Sequence, residues 1–244
     1  MKFVSLGYFC SVAKELEKLG LRSESLPFDW LVSDFEGVIY AIQNRFEGFL
    51  EYDNLVQKKN EHFHYKDIEH GFEFFHDFSK YKSLEKQLSK VREKYARRID
   101  RFYEVITEPT IFIRYISDEI IVEGKAKELV YIEKNYENII KLITSFNENN
   151  QIIFIANKGV TSTKLNIYNV EKDSNDRVAR EPIGKNSSLF NYINNCDFPD
   201  KDINIKRYMH KEHKKNKIYN RLKRKVKSKL ESVFLKEYIH EKQY

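Results

Sequence analysis

The chain has 244 residues, of which 41% are hydrophobic, which is enough to bury the core of one large domain. It has only two cysteines, Cys10 and Cys196, without close or Cys-x-x-Cys spacing, so the sequence suggests neither a disulfide framework nor a zinc site. No apolar run approaches the roughly 20 residues that span a bilayer, so we expect a cytoplasmic protein.

The net charge of +6 is concentrated near the end of the chain. Between Lys206 and Leu230, twelve basic residues stand against one acid, Glu212, so this segment carries +11 and the remainder −5. We therefore predict an α/β domain over residues 1–205 and a basic, helical extension over 206–244.

The first predicted elements form a strand, a tight turn and a helix. Residues 2–6 read as the strand, and apolar residues at helical spacing follow from Ser11 to Leu19, with Gly20 at the end. A second helix is predicted over 34–50, with Asp34 as its cap.

The remaining elements complete an α/β pattern. A compact β-branched run, TIFIRYI, and a second one, QIIFIA, enclose a helical segment, which is typical of a parallel crossover. The predicted elements are a short strand at 71–78, a helix at 83–106, strands at 110–116 and 151–156 around a helix at 125–146, a strand at 164–170, a loop-rich stretch at 171–204 and helical periodicity from Met209. We thus predict a mixed, largely parallel sheet flanked by helices.

Cys10 is the first candidate for chemistry, because it lies where the first strand has turned and the first helix begins. The free N–H groups and the positive dipole end of that helix favour thiolate over thiol. The opposing interpretation is that Cys10 only fills space, as buried cysteines often do. Cys196 lies in a polar loop and is a weaker candidate.

A nucleophilic cysteine also needs a base, which is usually a histidine. Among seven histidines, His76 lies in the apolar context FEFFHDF, and we predict that it has a fixed orientation. His62 and His64 could bind a metal from one face of a strand, but no third ligand is evident, so we expect solvated side chains. We predict no metal and no cofactor.

Three stretches carry a resemblance to a known family. They are SLGYFCSVAKELEKLGLRSESLPFDWLVSDFEGVIYAI from Ser5 to Ile42, FFHDF from Phe74 to Phe78, and KYARRIDRFYEVI from Lys94 to Ile106 followed by TIFIRY. Over roughly residues 1–160 the chain resembles a bacterial family of unknown function that is described as papain-like cysteine peptidases. Its members are often encoded among genes for cell-surface polysaccharides.

The resemblance implies that Cys10 is the nucleophile, His76 the base, and the amides at the first helix start the oxyanion donors. Asp29 in the PFDW motif, Asp77 or Asn157 could orient the base, although on a strand Asp77 would point away from the face that carries His76. Papain-type folds open with the cysteine-bearing helix and finish with an antiparallel sheet, whereas this sequence predicts a leading strand and a parallel crossover.

That difference motivates an alternative function. Ligands of parallel sheets bind beyond the carboxyl ends of the strands, and here those ends carry Cys10, Arg114 and Asn157. A helix N-terminus with Arg22 and Arg114 could hold the diphosphate of a sugar nucleotide or the phosphate of a phosphosugar, as in a glycosyl- or phosphoribosyl-type transferase of polysaccharide assembly. Arg114 could instead pair with an acid at the edge of the core, and no glycine-rich GxGxxG turn is present.

Other residues also have structural interpretations. Trp30, the only tryptophan, fits a core anchor, and Asp29 could simply cap the turn that presents it. The basic segment at 206–235 fits a solvated helix, an anionic membrane face or a partner protein better than nucleic acid, because an apolar stripe accompanies its charges. Attachment at the inner membrane face and a non-catalytic adaptor are therefore further hypotheses.

Overall fold

The computed structural model describes residues 1–58, 65–79, 81–174 and 176–197. One compact unit covers Met1–Pro199. The predicted boundary at residue 205 and the predicted basic helical extension at 206–244 lie outside the described residues. Within those residues, no helix combines the length and the apolar composition needed to cross a bilayer.

The larger sheet has four parallel strands in the order β1-β6-β9-β10. Its strands are β1 (Lys2–Ser5), β6 (Thr110–Tyr115), β9 (Gln151–Asn157) and β10 (Ile167–Val170). All six residues of β6 are buried, as expected for a central parallel strand that is covered on both faces. Because the strands are parallel, their carboxyl ends meet at one edge.

The smaller sheet is antiparallel, in the order β2-β5-β4-β3. Its strands are β2 (Leu31–Ser33), β3 (Leu55–Gln57), β4 (Tyr65–Asp67) and β5 (Phe72–Phe74), and a separate short hairpin pairs β7 (Ile121–Val122) with β8 (Lys125–Ala126). Part of the chain resembling the papain-like family therefore forms an antiparallel sheet, but this sheet is separate from the parallel one.

Five α-helices lie within the described residues. They are α1 (Ser11–Leu19), α2 (Phe35–Gln43), α3 (Glu85–Val105), α4 (Lys127–Thr144) and α5 (Ser187–Asn195). Helix α1 packs on β1 and β6, and α4 packs on β9 and on α2. The crossover from β6 through α4 to β9 joins neighbouring parallel strands, which confirms the predicted α/β fold class.

Aromatic side chains join the two sheets. The Phe28 ring lies 5.9 Å from the Phe72 ring of the small sheet and 5.6 Å from the Phe102 ring of α3. Phe102 in turn lies 6.4 Å from Phe112 of the large sheet. Phe28 is fully buried, whereas Trp30 is only half-buried. The core anchor of the PFDW motif is therefore Phe28. Our prediction that Trp30 is this anchor was wrong.

Some predicted boundaries were wrong. Helix α2 ends at Gln43 rather than near residue 50, because Arg45 and Phe46 adopt positive φ. Asp34 is its N-cap residue, but its side chain makes no capping hydrogen bond. The predicted loop at 171–204 contains α5, which Asn186 caps through a 2.9 Å bond from the Leu189 amide.

Gly37 in α2 provides a test of the packing between that helix and the small sheet. A Cβ at this position would overlap the carbonyl oxygen of His70. Alanine normally stabilises a helix by about 1 kcal/mol relative to glycine. We expect Gly37→Ala to lower the free energy of unfolding instead, by about 1–3 kcal/mol, because the helix must move away from the backbone of His70.

Urea denaturation of Gly37→Ala and of Glu36→Ala, an exposed position in the same helix, measures the difference. A stability gain in Gly37→Ala would contradict the described packing.

Candidate active site

The chain leaves β1 through a constrained turn. Gly7 and Tyr8 have positive φ, 78° and 66°. A Cβ at Gly7 would lie 2.7 Å from Ser33 Oγ and 3.1 Å from the Phe28 carbonyl oxygen, so only glycine fits there. A bulky residue such as Tyr8 in the left-handed region costs about 1–3 kcal/mol, and such conformations persist only where the surroundings hold them. The amides of Gly7 and Tyr8 donate to Ser5 Oγ and Ser33 Oγ, each at 3.2 Å.

Arg114, at the carboxyl end of β6, holds this turn. It is fully buried, and its Nε and Nη2 each donate to a carboxylate oxygen of Glu128 at 2.7 Å. Nη1 donates to the Leu6 carbonyl at 2.9 Å and to Ser33 Oγ at 3.0 Å, and Nη2 donates to the Ser33 carbonyl at 2.6 Å. Protein groups thus engage all five N–H donors of the guanidinium.

These contacts give Arg114 a structural role, in agreement with the alternative that it pairs with an acid at the edge of the core. Its predicted contact with substrate stays a prediction, and a substrate would have to replace one of the five protein contacts. Burial raises the pKa of Glu128, and the adjacent Arg114 charge opposes this rise.

Cys10 lies at the N-cap of α1, as predicted from the sequence. Its thiol is half-buried and forms no hydrogen bond within the described residues. The helix has no capping side chain and no acid in its first turn. An α-helix leaves its first-turn N–H groups without intrahelical partners. In α1 these groups follow Cys10, and the Cys10 side chain does not cap them.

Trp30 forms a surface on which other predicted residues meet. The His76 ring contacts it edge-on with a centroid separation of 6.3 Å, and Lys14 Nζ lies 5.7 Å from the Trp30 ring centroid. Lys14 is one helical turn after Cys10, and its amide donates to the Cys10 carbonyl at 2.9 Å. Lys14 of α1 and His76 thus both contact Trp30, and no hydrogen bond joins Cys10 to His76 among the described residues.

His76 lies beyond a strand that is shorter than predicted. Strand β5 ends at Phe74, and His76 is exposed. The expectation that Asp77 points away from His76 across a strand therefore does not apply. Asp77 is anchored to α3 by an ion pair with Lys94 and by a 3.1 Å bond from the Tyr95 hydroxyl. This anchor fixes the chain next to His76.

Asp29 is completely buried beside Trp30. One of its oxygens, Oδ2, accepts from Arg22 Nη1 at 2.9 Å and from the Leu26 amide at 2.8 Å. The other, Oδ1, has no hydrogen-bond partner in the described part of the chain. Burial raises the pKa of Asp29 to about 6, and the adjacent Arg22 charge limits the rise.

Arg22 links Asp29 to the helix that carries Cys10. Its Nε donates to the Ala13 carbonyl at 3.2 Å, and Nη2 pairs with Glu17 at 2.7 Å. Nη1 additionally contacts the Glu24 carbonyl at 3.1 Å. Like Arg114, Arg22 is mostly engaged by the protein, so its predicted contact with a substrate phosphate stays a prediction.

Asn157, at the carboxyl end of β9, also connects loops. Its Oδ1 accepts from the Tyr115 hydroxyl at 2.6 Å, and its Nδ2 donates to Asp118 at 3.0 Å and to the Arg177 carbonyl at 2.9 Å. No hydrogen bond joins it to His76 among the described residues. Its predicted roles in substrate binding or in orienting the base remain predictions.

A cavity of about 290 Å³ opens at the carboxyl ends of the parallel strands. Tyr8 from the turn and Ser117 from the segment after β6 line it, and β2, β4 and β5 of the small sheet complete its wall. This is the edge at which ligands of parallel sheets bind. Cys10 is not among its lining residues, although Tyr8 is only two positions away.

Sequence reasoning did not single out the pair of Asp67 and His70. Both are fully buried; Asp67 Oδ1 lies 3.1 Å from His70 Nδ1 and accepts from the His70 amide at 3.0 Å. His70 Nε2 has no partner in the described ranges, and the ring packs among Tyr40, Phe49 and Phe72. The Asp-x-x-His spacing in the sequence could have indicated this pair.

His62 and His64, considered above as metal ligands, lie outside the described residues. Within the described ranges, no group of three or more His, Cys, Asp or Glu side chains is arranged to hold a metal ion.

The fold and the turn define an α/β protein with a half-buried cysteine at the start of the helix that follows its first parallel strand. Residues 1–159 match the family described as "Putative papain-like cysteine peptidase (DUF1796)". The chain belongs to this family. It is also 32% identical over 173 residues to "Uncharacterized protein R408" of Acanthamoeba polyphaga mimivirus, covering 62% of this chain and 74% of the viral protein. No solved structure matches.

Substitution of Arg114 tests whether its role is structural. We expect Arg114→Met to lower the free energy of unfolding by about 3–5 kcal/mol, because it leaves the Glu128 charge buried without its partner. The double variant Arg114→Met/Glu128→Leu is expected to be more stable than the single variant. Chemical denaturation with circular dichroism measures both.

The control is Arg92→Met, which removes the exposed 2.9 Å pair with Glu51 and a 3.0 Å hydrogen bond to the Leu50 carbonyl and is expected to cost about 1 kcal/mol. A stability of Arg114→Met equal to that of the wild type would leave substrate binding as the better account of Arg114.

Asp29 gives the protein a pH-dependent stability. The folded carboxyl keeps its proton up to about pH 6, whereas an aspartate with the ordinary pKa of 3.8 releases it earlier. The folded state thus binds more protons between these values, and this group makes the free energy of unfolding fall, by about 3 kcal/mol at most, as the pH rises through that window.

Asp29→Asn keeps a side-chain oxygen that can accept from Arg22 and Leu26, but it cannot titrate. We expect this variant to lose the fall in the free energy of unfolding with rising pH, whereas Asp100→Asn, at an exposed position, should show the same fall as the wild type. The same pH profile in Asp29→Asn as in the wild type would contradict a raised pKa.

Proposed function

We propose that this protein is a cysteine-dependent hydrolase or acyltransferase of the papain-like peptidase type, with Cys10 as the nucleophile. The observation that carries the proposal is the position of the half-buried Cys10 thiol at the uncapped start of α1. Membership of a family described as papain-like cysteine peptidases supports it. The main-chain fold places this half-buried sulfur beside N–H groups that can stabilise a developing negative charge by donating hydrogen bonds to it.

In this proposal, Cys10 Sγ forms a bond to the carbonyl carbon of an acyl donor while its proton passes to His76. The oxyanion accepts hydrogen bonds from the first-turn amides of α1. The leaving group departs with the proton from His76, and water or another acceptor then releases the acyl group from sulfur. Asp29 is the proposed orienting residue, and its free Oδ1 is the atom available for that contact.

His76 must approach the sulfur for this chemistry, because no hydrogen bond joins them in the described structure. The exposure of His76 and its edge-on contact with the Trp30 ring are compatible with a side-chain rotation. Hydrogen bonds of catalytic groups often tighten only when substrate binds.

The alternative function is a glycosyl- or phosphoribosyl-type transferase. The parallel sheet and the cavity at its carboxyl edge support a transferase, because ligands of parallel sheets bind at that edge. A papain-type fold would instead have an antiparallel sheet. Against it, the guanidinium groups of Arg22 and Arg114 already bind protein oxygens. A nucleoside diphosphate that protects the wild type against thermal unfolding would favour the transferase, and the absence of protection would favour the hydrolase.

The predicted bacterial role in cell-surface polysaccharide assembly remains a proposal that rests on the sequence resemblance, and the cytoplasmic location remains a proposal that rests on the composition of the chain. The same holds for binding of the basic segment at 206–235 to an anionic membrane or a partner protein. A non-catalytic adaptor is the third class. It predicts that truncation after Asn204 abolishes function, whereas Cys10→Ser does not.

Acylation by p-nitrophenyl acetate tests the hydrolase proposal without knowledge of the natural substrate. We expect a burst of p-nitrophenol, with one acetyl group bound at Cys10 and identified by peptide mass spectrometry. The burst should disappear in Cys10→Ser. His76→Ala should slow it by about 10²-fold or more, since general base catalysis contributes about that much.

Cys196→Ser is the matched control, because Cys196 Sγ lies 3.4 Å from the Tyr192 carbonyl in a different part of the fold. An unchanged burst in Cys10→Ser, or acetylation at Cys196 alone, would refute the proposed nucleophile.

A further inference from the structure

The cavity at the carboxyl edge of the parallel sheet has a strongly polar lining that the chemistry proposed for Cys10 does not use. Six of its lining residues carry a formal charge, and the others include Tyr8 and Ser117. The charged residues are Asp34, Glu73, Glu119, Lys58, Lys66 and Arg177. With three positive and three negative charges, the lining complements a ligand that is polar but has little net charge.

The Tyr8 hydroxyl is an unsatisfied group in this cavity. Tyr8 is 3% exposed, and its hydroxyl interacts with the side chains of Ser117 and Glu119, but neither contact has the geometry of a full hydrogen bond. Burial raises the pKa of Tyr8, so the hydroxyl keeps its proton and can donate it to a ligand. A buried polar group without a partner costs stability, which a bound polar ligand would recover.

Ion pairing leaves two of the six charges available. Lys58 pairs with Glu73 at 2.7 Å, and Arg177 pairs with Glu119 at 3.0 Å. In the described parts of the chain, the side chains of Lys66 and Asp34 form neither a hydrogen bond nor an ion pair, with each other or with any other residue. Among the described residues, one ammonium and one carboxylate therefore line the same cavity without an ion-pair or hydrogen-bond partner.

Two observations explain why the Asp34 carboxylate is available to a ligand. Although it is the N-cap residue of α2, its side chain does not bond the helix amides. Its carboxylate lies against Gly71, where a Cβ would approach within 3.3 Å of Oδ2. The side chain is thus turned toward the β4–β5 turn and the cavity rather than toward its own helix.

We propose that this cavity binds a small zwitterion, a free α-amino acid or a compound of the same charge pattern. Its carboxylate meets Lys66, its ammonium group meets Asp34, and the Tyr8 hydroxyl forms a further hydrogen bond. An anion alone would leave Asp34 unpaired and next to a second negative charge. A cation alone would leave Lys66 unpaired and next to a second positive charge. The volume of about 290 Å³ suits a ligand of this size.

This site is a binding site in its own right and does not depend on the proposed nucleophile. Binding is measured without turnover, so its failure would leave the acylation test of Cys10 unaffected.

Isothermal titration of the full chain with a panel of free α-amino acids tests the proposal. The best binder is then compared with two matched analogues: the carboxylic acid that lacks its amine and the amine that lacks its carboxylate. We expect the zwitterion to bind about tenfold or more tightly than either analogue, because each analogue loses one charge-assisted hydrogen bond.

Three variants connect the binding to the named residues. Lys66→Met and Asp34→Asn should each weaken binding about tenfold or more, whereas Lys90→Gln, on the exposed face of α3, should not change it. Tyr8→Phe should weaken binding without lowering the thermal stability of the free protein, because the hydroxyl has no well-formed hydrogen bond to a protein group to lose. A structural role for that hydroxyl would instead lower the stability.

Several results would overturn the proposal. They are the absence of binding by every amino acid, equal binding of the zwitterion and its analogues, and wild-type affinity in both Lys66→Met and Asp34→Asn. Tighter binding of inorganic phosphate than of any amino acid, lost in Lys66→Met, would assign the cavity to anions and favour the transferase.

Discussion

The buried ion pair of Arg114 and Glu128 is the interaction on which the described structure depends. It joins the carboxyl end of β6 to the start of α4, and the remaining donors of Arg114 hold the Leu6 carbonyl and Ser33. A single guanidinium therefore connects the parallel sheet, the crossover helix, the turn before Cys10 and the end of β2. Because removal of either charge would strand the other in the core, this arrangement is fixed once the chain has folded.

That arrangement explains how a strained turn precedes the cysteine. The positive φ of Tyr8 is tolerated because its amide bonds Ser33, which Arg114 holds in place. The helix then begins at once, without a cap that would compete for its first amides. The same turn places Cys10 at the start of α1 and Tyr8 at the cavity at the edge of the sheet, so one local conformation serves both sites.

Much of the fold was predictable from local patterns. The β-branched run that forms β6, the helical spacing in α1, α3 and α4, and the parallel crossover depend on residues close together in sequence. Helix α2 was predicted too long, because the positive φ values after Gln43 are imposed by packing and carry no clear sequence signal. Helix α5 was missed because polar residues and prolines around it indicated a loop.

The site was less predictable, because its contacts join distant positions. The position of Cys10 at a helix start followed from the pattern of residues 2–19. In contrast, the five bonds of Arg114 span up to 108 positions in sequence, and no periodicity identifies them. The same applies to the Arg22 and Asp29 pair, to the exposure of His76 and to the burial of His70, each of which depends on where separate segments end and meet.

The most direct test of this account is the rate of Cys10 alkylation by iodoacetamide at neutral pH in Arg114→Met/Glu128→Leu, with the wild type measured in parallel. The account predicts a folded variant in which Cys10 reacts at the rate of an ordinary exposed thiol, because the turn no longer holds the sulfur at the helix start. A rate and selectivity identical to those of the wild type would contradict the claim that Arg114 positions the nucleophile.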